Sequence, residues 1–166
     1  MIKIIILDVD GTLTDGKISY DSNGNELKSF DVKDGFAIVN WIRIGRKVAI
    51  ITGRNSPIVE KRAKELGIKH CYQGVKNKFI KLQEILQEES ISLDETAAIG
   101  DDLNDFVMLK NSKISFSPAD ASELISDAVD VRLKRGGGSS AVAEMIEYIL
   151  KKENQIEAYA KYWKEQ

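Results

Sequence analysis

Short apolar runs alternate along the chain with longer segments in which apolar residues recur every three or four positions. The runs at 4–7, 47–51 and 96–99 have few polar interruptions, which is typical of strands buried on both faces. The intervening segments have the period of amphipathic helices. Because strands that alternate with helices form a parallel sheet covered on both sides, the pattern predicts an α/β fold, a three-layer doubly wound parallel sheet.

Local signals predict the remaining elements. Shorter strands are expected at 71–73, 114–116 and 128–131. Ser56 and Pro57 have the residue types of a helix start, an N-cap followed by proline at the first helical position. The other predicted helices carry apolar residues at Phe36, Val39 and Ile42 before Gly45, at Phe79, Leu82, Ile85 and Leu86, at Val142, Met145, Ile146, Ile149 and Leu150, and in the tail at Ile156, Tyr159, Ala160 and Trp163.

Two alternating segments on either side of Asn23 and Gly24 predict a small β-hairpin at about 17–30. It could serve as a flap over a site or as an extension of the sheet edge. Only this hairpin and one helix fit between the first two strands, which leaves no room for a separate cap domain. Residues 1–166 are therefore expected to form one domain, with a C-terminal helix and tail at about 140–166.

Composition excludes several functional classes. A formal net charge of -2 and a pI near 5.6 provide no general attraction to nucleic acid or to an anionic membrane. No apolar run reaches the length of a membrane span, and the opening run is too short for a signal peptide. Cys71 is the sole cysteine, so an internal disulfide is excluded. We expect a cytoplasmic protein without nucleic-acid or membrane partners.

Acidic residues follow the first apolar run directly. Asp8 and Asp10 come after it in a turn that contains Gly11. Two carboxylates that point the same way repel each other unless a cation lies between them, and divalent cations bind oxygen ligands. Ligands bind beyond the carboxyl edge of open α/β sheets, so we predict a cation site here. An ordinary Asx turn is the alternative.

Chemically active groups recur just after the other predicted strands. Thr52 follows the second strand and Lys78 lies just past the third. Asp101 and Asp105 follow the fourth. Each alone has an ordinary explanation, as a turn hydroxyl, an exposed helix lysine or a helix cap. Because parallel strands bring these ends to one side of the sheet, the set together predicts a site for phosphoryl transfer.

The residue types suggest how the work is divided. Asp8 would attack phosphorus, and Asp10 would protonate the leaving oxygen and later activate water. Thr52 and Gly53 would donate hydrogen bonds to the phosphate, while Lys78 and the metal would offset its charge.

These residues resemble the four motifs of the haloacid dehalogenase superfamily, which has a Rossmann-type sheet. The motifs are Asp8, Asp10, Gly11 and Thr12, then Thr52, Gly53 and Arg54, then Lys78, and finally Gly100, Asp101, Asp102 and Asp105. More specifically, the whole chain is similar to the 3-deoxy-D-manno-octulosonate 8-phosphate phosphatases. Residues 13–16, 30–35, 50–54, 62, 72–74 and 99–102 carry that match. Phosphatases of related sugar acids share this closer signature.

The resemblance implies Asp8 as the nucleophile that forms an aspartyl-phosphate and Asp10 as the general acid and base. It implies Mg²⁺ held by the Asp8 carboxylate, the Asp10 backbone carbonyl and Asp101. Asp105 would lie next to these ligands without binding the metal directly. The implied substrate contacts are Asp10, Asp31, Val32, Lys33, Asp34, Gly35, Arg54, Arg62 and Lys78. Arginine can bind a sugar-acid carboxylate through two parallel hydrogen bonds, although a solvated helix face explains Arg62 equally well.

The chain departs from the family in one place. Family members commonly carry an arginine after the glycines that precede the last helix, whereas Ser139 and Ser140 stand here. The missing basic side chain leaves the exact sugar acid open.

Without a cap domain, a small charged substrate would be poorly shielded from water. This predicts an oligomer in which a neighbour's hairpin and tail close each site. The family resemblance implies that the oligomer is a homotetramer. The apolar tail could equally pack on its own subunit.

Other functions fit some of these residues. A phosphorelay receiver domain also combines a doubly wound sheet with Mg²⁺, acids, a hydroxyl and a lysine, but its phosphoacceptor follows a middle strand, where this chain has Thr52. A non-catalytic oligomerisation module would not need Asp8 and Asp10. Among enzymes, a phosphatase of a nine-carbon, sialic-acid-like 9-phosphate is the alternative to an enzyme of lipopolysaccharide precursor synthesis.

Overall fold

The structure, a computed structural model, describes residues 1–165 and contains eight strands and seven α-helices in that range. The strands are β1 (Ile4–Leu7), β2 (Ser19–Tyr20), β3 (Glu26–Leu27), β4 (Lys47–Ile51), β5 (His70–Tyr72), β6 (Thr96–Ile99), β7 (Ile114–Ser117) and β8 (Val131–Arg132). The helices are α1 (Val32–Arg43), α2 (Pro57–Glu65), α3 (Lys78–Glu89), α4 (Phe106–Asn111), α5 (Glu123–Ser126), α6 (Ala141–Lys152) and α7 (Ile156–Lys164).

Six of the strands form one sheet in the order β5-β4-β1-β6-β7-β8, and every neighbouring pair is parallel. The apolar strand β1 lies at the centre, where Leu7 is level with Ile50 of β4 and with Ile99 of β6. The residues that follow these three strands therefore meet at one edge of the sheet. The predicted three-layer α/β fold is confirmed.

Alternation along β1 divides the core into two layers. Ile5 and Leu7 pack on one side of the sheet with α1, α2 and α6, and the largest buried side chain there is Trp41 of α1. Ile4 and Ile6 pack on the other side with α3, α4 and α5. None of the helices in residues 1–165 combines the length and apolarity needed to cross a membrane.

The end of the sheet differs from the sequence-based prediction. A strand was expected at 128–131, but β8 begins only at Val131. The amide N–H groups of Ala128 and Val129 both donate to the Ile125 carbonyl, so these residues form a turn after α5. The Asp130 carboxylate accepts a hydrogen bond from the Ser115 amide at 2.8 Å, so a side chain occupies a position that a backbone carbonyl would otherwise hold.

Helix α1 is present as predicted, but its most buried side chains are Ile38 and Trp41 rather than the expected Phe36, which is 49% exposed. Phe36 contacts the tail, because its ring lies 5.1 Å from that of Trp163. The indole N–H of Trp163 also donates to Asn40 Oδ1 at 2.7 Å. Helix α7 thus packs on α1 of the same chain.

Candidate active site

The turn after β1 is a tight loop built around one carbonyl. The amides of Thr12, Leu13 and Thr14 all donate to the Val9 carbonyl oxygen at 2.9–3.1 Å. Gly11 has φ +93°, and a Cβ placed on it would lie 2.0 Å from Asp101 Oδ2. Only glycine fits this position, because both the backbone conformation and the Asp101 carboxylate exclude a side chain.

Lys78 joins the first and last acidic loops. It is the first residue of α3, whose N-terminus is capped by the Asn77 side chain. Its Nζ lies 2.5 Å from Asp8 Oδ1 and 2.5 Å from Asp105 Oδ1, and the lysine is only 3% exposed. Burial opposes the charged ammonium, but the two carboxylates outweigh it and raise the pKa of Lys78. The lysine is therefore charged and fixed between two acids.

Three carboxylates form the acidic cluster of the site. Asp8, Asp101 and Asp105 each contribute one oxygen atom, and these atoms lie within 4.8 Å of one another. Burial, followed by the charge of Asp105, raises the pKa of Asp8 to about 6. Burial, followed by the charges of Asp8 and Asp105, raises the pKa of Asp101 to about 8. Oxygen ligands that repel each other in this way are suited to a divalent cation.

Asp105 also shapes the loop after β6. Its Oδ2 accepts hydrogen bonds from the amides of Asp101, at 3.0 Å, and Asp102, at 3.3 Å. A Cβ on Gly100 would lie 2.4–2.5 Å from the Asp105 side chain, so that glycine admits the carboxylate under the loop. Asp105 therefore holds both Lys78 and the backbone that presents Asp101.

Thr52 and Gly53 follow β4, the strand that neighbours β1. Thr52 is buried, and its amide donates to the Tyr72 carbonyl while its own carbonyl accepts from the Val75 amide, both at 3.0 Å. Gly53 is exposed. The fixed backbone places both residues at the same sheet edge as the acidic cluster.

A chain of alternating charges, which the sequence reasoning missed, links Asp10 to the hairpin. Lys28 forms an ion pair with Asp10 Oδ1, and its Nζ lies 3.1 Å from Glu26 Oε1. Arg54 Nη2 lies 2.9 Å from Glu26 Oε2. Strand alternation places Glu26 and Lys28 on one face of the hairpin, and this spacing is the signal that could have identified them.

The predicted substrate segment 31–35 forms the start of α1. Asp31 is the N-cap and accepts from the Asp34 amide at 3.0 Å, while Val32 and Lys33 are exposed. Asp34 is 1% exposed, and its Oδ1 accepts from the Ala143 amide near the start of α6. Within residues 1–165 the structure records no hydrogen bond or ion pair between Asp34 and the acidic cluster.

Gly35 allows Arg62 to approach α1 closely. A Cβ on Gly35 would lie 2.3 Å from Arg62 Nη2. Arg62 also lies over the Phe30 ring and is 3.5 Å from Glu65 Oε2. This arginine is therefore partly buried between α1 and α2, rather than on a fully solvated helix face.

The glycine loop before α6, residues 136–138, packs against the first turn. A Cβ on Gly137 would lie 2.0 Å from the Gly11 carbonyl oxygen, and the Gly138 amide donates to the Thr12 carbonyl at 3.1 Å. Ser140, at the position where the family pattern differs, donates from Oγ to Asp31 Oδ1 at 3.1 Å. The loop thus connects the first turn with the start of α1.

Comparison with known proteins agrees with this geometry. The family model of haloacid dehalogenase-like hydrolases matches residues 72–146. The 3-deoxy-D-manno-octulosonate 8-phosphate phosphatase of Escherichia coli (strain K12) is 39% identical over 156 residues, which cover 94% of this chain and 83% of the relative. The chain belongs to the haloacid dehalogenase superfamily. Within it, the similarity is to the 3-deoxy-D-manno-octulosonate 8-phosphate phosphatase family.

Solved structures of relatives contain metal. One is the crystal structure of the 3-deoxy-D-manno-octulosonate 8-phosphate phosphatase from Moraxella catarrhalis, in complex with magnesium ion, phosphate ion and a KDO molecule. It superposes on this chain with a TM-score of 0.93 at 39% sequence identity, and the match covers 98% of this chain and 93% of that one. A cobalt-bound structure of the phosphatase from Haemophilus influenzae has a TM-score of 0.88 and 38% identity, covering 92% and 90%. Together with the acidic cluster, these findings confirm the predictions of a phosphoric monoester hydrolase and of a divalent-metal cofactor.

Proposed function

We propose that this protein is a Mg²⁺-dependent phosphatase that hydrolyses 3-deoxy-D-manno-octulosonate 8-phosphate to the free sugar acid and phosphate. The observation that carries the proposal is the contact of Lys78 with Asp8 and Asp105 beside Asp101, because it joins three separate loops in one charged site. The names of the relatives supply the substrate. The corresponding process is lipopolysaccharide precursor synthesis in the cytoplasm.

The acidic cluster fits a magnesium ion. The Asp8 carboxylate, the Asp10 backbone carbonyl and Asp101 would hold it, and Asp105 would keep Lys78 and the Asp101 loop in place. When bound, the ion neutralises charge on the transferring phosphoryl group. These ligands are oxygen atoms, which Mg²⁺ prefers.

The chain's own residues then divide the chemistry. Lys78 binds Asp8 Oδ1, which leaves Oδ2 to attack phosphorus and form the aspartyl-phosphate. The bond between phosphorus and the sugar oxygen breaks, and Asp10 gives that oxygen its proton. Asp10 next takes a proton from water as the water attacks phosphorus and releases Asp8. Thr52, Gly53 and Lys78 donate hydrogen bonds to the phosphate.

The sugar acid would lie in a groove between the first turn and α1. The groove has a volume of about 430 Å³ and is lined by Asp15, Ser29, Phe30, Asp31, Val32, Lys33 and Gly138. Lys33 offers a positive charge for the carboxylate. Arg54 and Arg62 are proposed as further contacts, whereas Asp34 and Gly35 would act by shaping the start of α1.

We also propose that the single domain assembles as a homotetramer. The chain's own hairpin reaches the site through Lys28, and the opposite face of the hairpin exposes Leu27. A neighbouring subunit that covers this face would shield the site from water.

A phosphate-release panel tests the substrate. Eight-carbon and nine-carbon ulosonate phosphates would be compared at equal concentration, with and without Mg²⁺. We expect the eight-carbon 8-phosphate to have the highest kcat/KM, and chelation of the metal to abolish release. Preference for the nine-carbon 9-phosphate would favour a sialic-acid-like substrate, which the absence of an arginine at 139 and 140 makes the second candidate. Release from neither ester would contradict the proposed function.

A further inference from the structure

Lys28 is a buried cation next to the proposed general acid. Its side chain is only 1% exposed although the neighbouring hairpin residues Leu27 and Ser29 are exposed. It forms ion pairs with Asp10 Oδ1 and with Glu26 Oε1. A lysine of a surface hairpin usually keeps its ammonium in water, so this burial requires compensation from both carboxylates.

The ion pair decides where the Asp10 side chain points. Asp10 does not belong to the acidic cluster of Asp8, Asp101 and Asp105. Lys28 holds its Oδ1, and within residues 1–165 no hydrogen bond to Oδ2 is recorded. The oxygen available for proton exchange with a substrate is therefore Oδ2, on a carboxyl group turned towards the hairpin.

Glu26 and Arg54 fix the lysine in turn. Glu26 Oε2 accepts from Arg54 Nη2 at 2.9 Å, and Arg54 stands on the loop after β4. The charges alternate in sign along the series Asp10, Lys28, Glu26 and Arg54. Lys28 and Glu26, in the middle of the series, therefore each contact two oppositely charged side chains. The hairpin is thereby attached to two of the loops that form the site.

We propose that Lys28 is a positioning residue that orients Asp10 for proton transfer to the leaving oxygen. The proposal rests on the role of Asp10 in the proposed function. Lys28 gives up no proton in the step: the proton that Asp10 carries on Oδ2 passes to the sugar oxygen as the bond from that oxygen to phosphorus breaks. The carboxylate that remains keeps its contact with Lys28 through Oδ1. A general acid acts only within hydrogen-bond reach of the atom it protonates, so loss of this orientation slows departure of poor leaving groups.

The dependence of the rate on the leaving group tests this role. An alkoxide needs protonation as it leaves, whereas p-nitrophenolate does not. We expect Lys28→Met to lower kcat/KM for a primary sugar phosphate by about 30-fold and for p-nitrophenyl phosphate by less than about 3-fold. Lys28→Arg, which keeps the positive charge, should restore most of the activity towards the sugar phosphate.

Matched variants separate positioning from a general effect of the hairpin. Lys17→Met removes an exposed lysine from the start of the same hairpin and should leave both kcat/KM values unchanged. Glu26→Gln removes the charge that supports Lys28 and should shift the ratio of the two values in the same direction. This second variant tests the proposal even if Lys28→Met folds poorly.

The outcomes distinguish a failure of the proposed function from a failure of the positioning role of Lys28. A wild-type protein that hydrolyses neither ester would contradict the proposed function. A wild-type protein that hydrolyses both, together with an unchanged ratio in Lys28→Met and Glu26→Gln, would contradict the positioning role alone.

Discussion

Charge balance at the site depends on individual residues. The carboxylates of Asp8, Asp101 and Asp105 carry three negative charges when ionised, and Lys78 contributes one positive charge. One divalent cation would neutralise the two negative charges that remain. Without the cation, burial and mutual repulsion raise the pKa of Asp8 to about 6 and that of Asp101 to about 8. Protons and the metal ion therefore compete for the same oxygen atoms.

This competition predicts how metal affinity depends on pH. A carboxyl whose pKa is raised holds its proton up to a higher pH, so Mg²⁺ must displace that proton below about pH 8. We expect the affinity to rise between pH 6 and pH 8, by up to about tenfold per pH unit for one displaced proton. Calorimetric titration with Mg²⁺ at pH 6 and at pH 8 measures this affinity. Asp101→Asn should lose the binding, whereas the exposed neighbour Asp102→Asn should retain it; equal wild-type affinity at both pH values would contradict the prediction.

At the scale of elements, topology explains which parts of the site could be predicted. Asp8, Thr52 and Asp101 follow adjacent parallel strands, so the order of elements alone brings them together. Lys28 and Gly137 were missed because their contacts depend on how a hairpin and a glycine loop fold back over the first turn. Strand alternation puts Glu26 and Lys28 on one face of the hairpin, but it does not show that this face lies over the first turn.

The packing of α1 on α6 was also beyond prediction from the sequence. Each helix pattern gives an apolar face, but no pattern shows that the carboxylate of Asp34 is buried between the two helices. Its Oδ1 accepts from the Ala143 amide at 2.8 Å, and its Oδ2 is buried without a hydrogen-bond partner. Burial raises the pKa of Asp34 to about 6. The ionised side chain therefore destabilises the folded state.

The variant Asp34→Asn should relieve this cost. Asn keeps the acceptor for the Ala143 amide and carries no charge. Between pH 4 and pH 6 the folded chain binds more protons at position 34 than the unfolded chain, so wild-type stability falls as pH rises through this range. We expect the variant to gain on the order of 1–3 kcal/mol at pH 7.5, with a smaller gain at pH 4.5. Denaturant unfolding at the two pH values measures the gain, and a gain that is largest at pH 4.5 would contradict the account.

At the scale of the whole molecule, the hairpin has two distinct faces. Glu26 and Lys28 point towards the site, whereas Leu27 between them is 54% exposed. Helix α7 instead packs on α1 of its own chain through Trp163, with Arg43 4.1 Å from the Tyr162 ring centroid. The hairpin is therefore the surface that we expect to contact a neighbouring subunit.

The proposed tetramer makes this face testable. We expect light scattering to give the mass of four chains, and Leu27→Asp to reduce both the mass and kcat, because a charge at the interface opposes burial. Leu124→Asp places the same charge on another exposed leucine, in α5, and should change neither. A wild-type monomer with full activity would contradict the proposed assembly.

The central claim is that residues from position 8 to position 105 converge on one phosphoryl group, with Asp8 as its acceptor. Rapid acid quenching during turnover, followed by mass spectrometry of the N-terminal peptide, tests it most directly. We expect one phosphoryl group on Asp8, and none in Asp8→Asn, in which turnover is abolished although the fold is retained. Phosphate release by Asp8→Asn at near the wild-type rate, or a phosphoryl group on another residue, would contradict the account.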